Sequence, residues 1–172
     1  MTAMKTILAG LLTLPLVCTA YADEASDSAV RWSEIAGVIT AQGVDNPIST
    51  TISSGTFAWT ARSGRALVDL RTGFMSFDVD GLVINGTAFS GTPGPVTAVT
   101  GTLVCNPGAS NEFTQDSPPV PLSAHGNAAF SGDVANGPIA CGNPLFLIRI
   151  AVPQGAAGRW IATGVQPATT TE

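Results

Sequence analysis

The clearest pattern in the chain is a two-residue alternation. In Arg65-Ala66-Leu67-Val68-Asp69-Leu70-Arg71, the apolar residues Ala66, Val68 and Leu70 fall on one side and Arg65, Asp69 and Arg71 on the other. Thr72-Gly73 is a two-residue turn signal. After it Met75, Phe77 and Val79 alternate with Ser76, Asp78 and Asp80. A pair of period-two runs around a Gly-containing turn predicts a β-hairpin with one face buried. The same reading places further short strands at Val30–Thr40, Ile48–Ser53, Thr56–Thr60, Val96–Cys105, Val120–Ser123, Ala128–Asp133, Leu145–Val152 and Arg159–Val165. Leu145–Val152 carries only Arg149 as a charge, which predicts a strand in the middle of a sheet. Asn106–Pro119 reads as the longest loop, at 14 residues.

Helix signals are nearly absent. Past residue 22 the chain holds 18 Gly and 11 Pro, scattered throughout, and 29 Ser and Thr. Only Glu24–Ile35 escapes both Gly and Pro over 12 residues, and its polar start reads as a tail entering a strand. About ten strands at a spacing of roughly 8–12 residues predict an all-β fold. The expected architecture is a single antiparallel β-sandwich, or flattened barrel, of about 8–10 short strands. It would span residues 30–165, between a flexible amino-terminal tail (23–29) and a polar tail (166–172).

The first 22 residues do not belong to that fold. Lys5 precedes the apolar run Ile7–Val17, and Ala20-Tyr21-Ala22 fits a small-x-small cleavage site. These are the parts of a secretory signal peptide, too short in its apolar run to span a membrane. Cleavage before Asp23 removes the only Lys, the only Tyr and one of three Cys. Six Arg then face twelve acids, a net charge of −6. An acidic, lysine-free surface argues against binding nucleic acid or anionic lipid, and no later segment predicts membrane insertion. The expected location is periplasmic or secreted. The two cysteines left, Cys105 and Cys141, form an even pair in an oxidising compartment, which predicts one disulfide.

Candidate chemistry is sparse. The only imidazole is His125, without a Gly-x-Ser-x-Gly nucleophile elbow, so a hydrolase would need it to meet a distant Ser and acid. Asp78 and Asp80 share a strand face with Asp69 nearby, a weak candidate cation site because Ca²⁺ prefers oxygen ligands. Arg65 and Arg71 on the same face compete for those acids. Trp59 and Trp160 are candidate sugar platforms. With Asn111, Glu112 and Asp116 of the long loop, they make up the candidate ligand surface. No cofactor signature is present and none is expected.

Several segments resemble an uncharacterised family of small exported bacterial proteins. They are Trp32–Ile39, Gly101–Asn106, Val120–Gly132, Phe146–Arg149 and Gly158–Ala162. The resemblance implies an exported single domain. A weaker likeness is to the chordin-type (CHRD) domain, an extracellular β-sandwich module. It rests on Ser63–Leu82, which ends in Val79-Asp80-Gly81-Leu82. CHRD domains usually follow this with histidines, and Gly86–Thr97 has none. The leading expectation is an exported, non-enzymatic structural or binding module of the bacterial envelope or extracellular space, its ligand unknown and a protein or a glycan its candidate partners. The alternatives are a carbohydrate-binding or adhesion module and a hydrolase using His125.

Overall fold

A computed structural model describes residues 28–153 and 156–167. The expected signal peptide (1–22), most of the expected tail 23–29 and most of the expected tail 166–172 lie outside the described residues. The fold is all-β and antiparallel. Its strands are β1 (Ala29–Trp32), β2 (Glu34–Gly37), β3 (Ala58–Thr60), β4 (Ser63–Asp69), β5 (Phe74–Asp80) and β6 (Val83–Asn85). They continue with β7 (Ala98–Cys105), β8 (Phe113–Asp116), β9 (Val120–Pro121), β10 (Ala128–Asp133), β11 (Pro144–Ala151) and β12 (Ala157–Val165). A four-stranded sheet has the order β1-β4-β5-β10. A six-stranded sheet has the order β2-β12-β11-β7-β8, with β9 also on β7, and β3 and β6 form a separate pair.

The two large sheets meet through aromatic side chains. Phe146 of β11 stands 5.6 Å from Trp32 and 5.7 Å from Phe77, both of the opposite sheet. Trp32, Phe77 and Phe146 are buried, as are Val68, Met75, Leu103 and Ile148. Gly101 lets the layers come this close. A Cβ there would lie 2.5 Å from Phe77 and 3.2 Å from Phe146.

The alternating hairpin forms with the expected faces: Ala66, Val68, Met75, Phe77 and Val79 are buried. Asp69 pairs with Phe74, so four residues rather than two make the connection. β11 lies between β7 and β12 inside its sheet, as its low charge predicts.

Three elements differ from the sequence reading. Val30–Thr40 is two strands, one in each sheet: β1 pairs with β4 and β2 with β12. Trp32 and Ile35 are both 1% exposed. Residues three apart face opposite ways in a regular strand, so the chain must bend at Ser33 and change sheets to bury both. Ile48–Ser53 is not a strand. It folds back on itself, with the Ile48 N–H donating to the Ile52 carbonyl at 2.8 Å, and buries Ile52. Asn106–Pro119 is not all loop. It contains β8, whose Thr102↔Asp116 to Cys105↔Phe113 pairings extend the six-stranded sheet. β8 is an edge strand with no buried residue, so backbone pairing holds it and no apolar alternation marks it.

Cys105 and Cys141 form the expected disulfide, with Cα atoms 5.0 Å apart. It ties the end of β7 to the connection between β10 and β11.

Candidate functional site

The connections β3–β4, β5–β6 and β9–β10 come together beside β6 in an open cleft of about 620 Å³. Thr60, Arg62, Val83, His125 and Asn127 line it. Backbone hydrogen bonds fix its rim. The Leu82 N–H donates to the Gly126 carbonyl at 2.8 Å, and the Arg62 N–H to the Asp80 carbonyl at 2.9 Å. Gly126, at φ 77°, is required by this contact, since a Cβ would lie 2.3 Å from the Leu82 carbonyl oxygen. The Asn127 Oδ1 accepts from the Gly81 N–H at 3.0 Å, which leaves the Asn127 amide nitrogen for a ligand. The Arg62 guanidinium is held by Asp80, Nε at 2.9 Å and Nη2 at 2.7 Å, both on Oδ2.

His125 is exposed on this cleft, and among the described residues its imidazole makes no hydrogen bond. Ser123, the nearest serine in sequence, uses its Oγ to accept the backbone N–H of His125 (3.3 Å) and Asn127 (3.0 Å). That hydroxyl organises the turn rather than meeting the ring, so a nucleophile–base pair is not assembled here.

The carboxylates expected to gather around a cation are spread out. Asp78 pairs with Arg65 at 2.7 Å, and Asp80 with Arg62. Asp69 is four positions along β4 from Arg65, the residue opposite Asp78, which is about 13 Å on an extended strand. Its Oδ1 accepts from Ser28 at 3.0 Å and from the Arg71 N–H at 2.9 Å. That backbone bond, helped by the Ser28 and Thr72 hydroxyls, holds the Asp69 carboxyl below its ordinary value, with burial opposing. Among the described residues no group of three His, Cys, Asp or Glu side chains is placed to hold a metal.

The expected ligand surface is corrected as well. Trp59 is 3% and Trp160 8% exposed, so neither presents an indole face to a sugar. Trp160 donates its Nε1–H to the Asn46 carbonyl at 3.1 Å, which lets the amphipathic ring lie inside the fold. The Glu112 carboxylate is taken up by its neighbours near the surface. It accepts from the Gly108 N–H at 2.6 Å, Ser49 at 2.8 Å and Thr51 at 3.0 Å, and these bonds lower its pKa. Asp116 accepts from Thr102 Oγ1 at 2.6 Å. Asn111 is exposed, while Glu112 and Asp116 are half-buried and occupied by these bonds.

Asp116 also acts on Arg149. Burial pushes the Arg149 guanidinium down from its ordinary pKa, with the Asp116 charge opposing. Arg149 donates to the Gly158 carbonyl at 2.6 Å and the Ala157 carbonyl at 2.9 Å. These bonds brace the start of β12, and Arg149 does not line the cleft.

Thr60, Arg62 and Asn127 were not singled out by their sequence. They are 67 positions apart at the extremes, and each looks like an ordinary turn or strand-end residue. The Gly126-Asn127 turn was the one local signal.

What this geometry defines is an all-β, disulfide-bonded protein with an open cleft of mixed polar and apolar lining among its loops. No family model, curated protein or solved structure matches the chain.

Proposed function

We propose that this is an exported, non-enzymatic binding module of the bacterial envelope or extracellular space, with the cleft beside β6 as its ligand site. The observation that carries the reading is the cleft itself. It is an open cleft, its rim is tied by backbone hydrogen bonds, and the Asn127 amide nitrogen, the Thr60 hydroxyl and the His125 ring have no hydrogen-bond partner among the described residues. Binding sites are characteristically preformed cavities with a few convergent polar groups. The setting is supported by the leader at residues 1–22, by the disulfide, and by the lack among the described residues of any helix long and apolar enough to cross a membrane. Against the hydrolase stands the solitary His125.

Cell fractionation with intact-mass measurement tests the setting: the exported chain should begin at Asp23. Thermal melting of the mature protein against extracellular saccharides, organic acids and phosphate tests binding. A stabilised melt that disappears in the Arg62→Ala variant is the expected outcome. Arg62 is mostly exposed, so its loss should leave the fold intact. If no compound shifts the melt, or if Arg62→Ala binds as wild type does, the module reading fails at this site.

A further inference from the structure

We propose that the cleft beside β6 takes a neutral saccharide, an assignment that rests on the binding reading above. The argument begins with charge. Among the described residues Arg62 is the one arginine or lysine lining the cleft, and Asp80 already neutralises it through two hydrogen bonds to one oxygen. An anionic ligand would have to compete with that carboxylate. An apolar ligand would cover the Asn127 amide, the Thr60 hydroxyl and the His125 ring without pairing them, at the cost of stranded polar groups.

A polyol has neither difficulty. Each hydroxyl both donates and accepts, which suits a wall that alternates the two capacities. Here the Asn127 Nδ2 and the Arg62 Nη1 can donate, and the Thr60 hydroxyl and the two His125 ring nitrogens add donor and acceptor capacity. The Asn127 amide is oriented unambiguously, because its Oδ1 is committed to the Gly81 N–H. Val83 and Ala61 supply a small apolar wall against which the C–H face of a sugar ring can pack. At about 620 Å³ the cleft falls in the ordinary range of small-ligand sites, roughly 300–1,000 Å³. Its bonded rim reduces the ordering cost on binding, which otherwise erodes the affinity of hydroxyl contacts.

The buried indoles of Trp59 and Trp160 do not enter this site. Recognition rests on hydrogen bonds and shape rather than on aromatic stacking.

The experiment is side-chain and backbone ¹H–¹⁵N NMR of the mature protein. The neutral probes are glucose, galactose and N-acetylglucosamine with their short oligomers. The anionic probes are galacturonate, acetate and inorganic phosphate. A neutral saccharide should move the Asn127 Nδ2 and Arg62 Nε signals together with the Gly81 and Gly126 amides. Two variants separate recognition from folding. Thr60→Val keeps the shape and removes the hydroxyl, and Asn127→Asp keeps the acceptor for Gly81 and removes the amide donor. Each should weaken saccharide binding roughly tenfold, with an unchanged melting temperature for Thr60→Val. If only the anions move the cleft signals, the saccharide assignment is overturned and the binding module stands. If no probe moves them, both fall. Saccharide binding of equal strength in both variants also overturns the assignment, because the ligand would then sit elsewhere.

Discussion

Cys141→Ala removes the disulfide while leaving Cys105 in place, and that choice isolates one physical effect. Cys105 is fully buried, whereas Cys141 is only partly so. Without the bridge, the folded chain keeps β7 on β11 through the partner pairs from Cys105↔Pro144 to Val99↔Ile150. The native state therefore loses little, and the effect falls on the unfolded ensemble. The bridge spans a sequence separation of 36. In the chain-entropy treatment a loop of that size is worth about 4 kcal/mol. For a domain of roughly 140 residues the unfolding entropy is about 0.3 kcal/mol per degree, so the midpoint should fall by about 13 °C. Calorimetry of wild type and variant, each with and without reductant, measures this. Reductant should bring wild type down to the variant and leave the variant unmoved. Cys105→Ser should cost about 1–3 kcal/mol more, because it buries a hydroxyl at the end of β7. A Cys141→Ala midpoint within 3 °C of wild type would refute the reasoning. So would two free thiols in the protein purified without reductant.

Phe146→Ala, at the contact between the sheets, should cost about 3–5 kcal/mol, while Phe113→Ala on exposed edge strand β8 should stay within about 1 kcal/mol; chemical denaturation separates them. Gly126→Ala should cost about 2–4 kcal/mol, against about 1–2 kcal/mol for Gly86→Ala, by the same measurement. Both glycines have positive φ, but only Gly126 has a neighbour within 4 Å for the added Cβ to strike. The Glu112 carboxyl has a lowered pKa in the fold, so its stabilising contribution is present above the ordinary Glu value near 4.3 and is lost as pH falls through the folded value. Glu112→Gln should therefore lower the melting temperature slightly at pH 7, by no more than about 1 kcal/mol given its exposure, and the gap should close towards pH 3. A gap that widens in acid would reverse the sign and sink the assignment.

The hairpin of β4 and β5 was legible because its two faces meet different solvents, and a period of two records that directly. β11 was legible for a related reason: a strand flanked on both sides cannot carry charge freely. β8 was not, because Thr114, Gln115 and Asp116 are held to β7 by backbone bonds that any residue makes. The division at Ser33 was written in the spacing of Trp32 and Ile35, but it could be read only once both were known to be buried. The candidate site fared worse. Trp59 and Trp160 look the same in sequence whether they face a ligand or a core, and burial decides it. Arg62 gave no signal, and Asn127 only that of a turn, because a cleft among loops has no period.

By itself the sequence determined the all-β class, the alternating faces of the central hairpin, and a cysteine pair placed to bridge. These follow from local spacing and from the solvent each face must meet. Tertiary structure alone decided which side chains share a space. It turned the tryptophans inward, spread Asp69 away from Asp78 and Asp80, and brought Thr60, Arg62, His125 and Asn127 to one cleft. Proximity of that kind depends on how strands cross between sheets, a property no single stretch of chain contains.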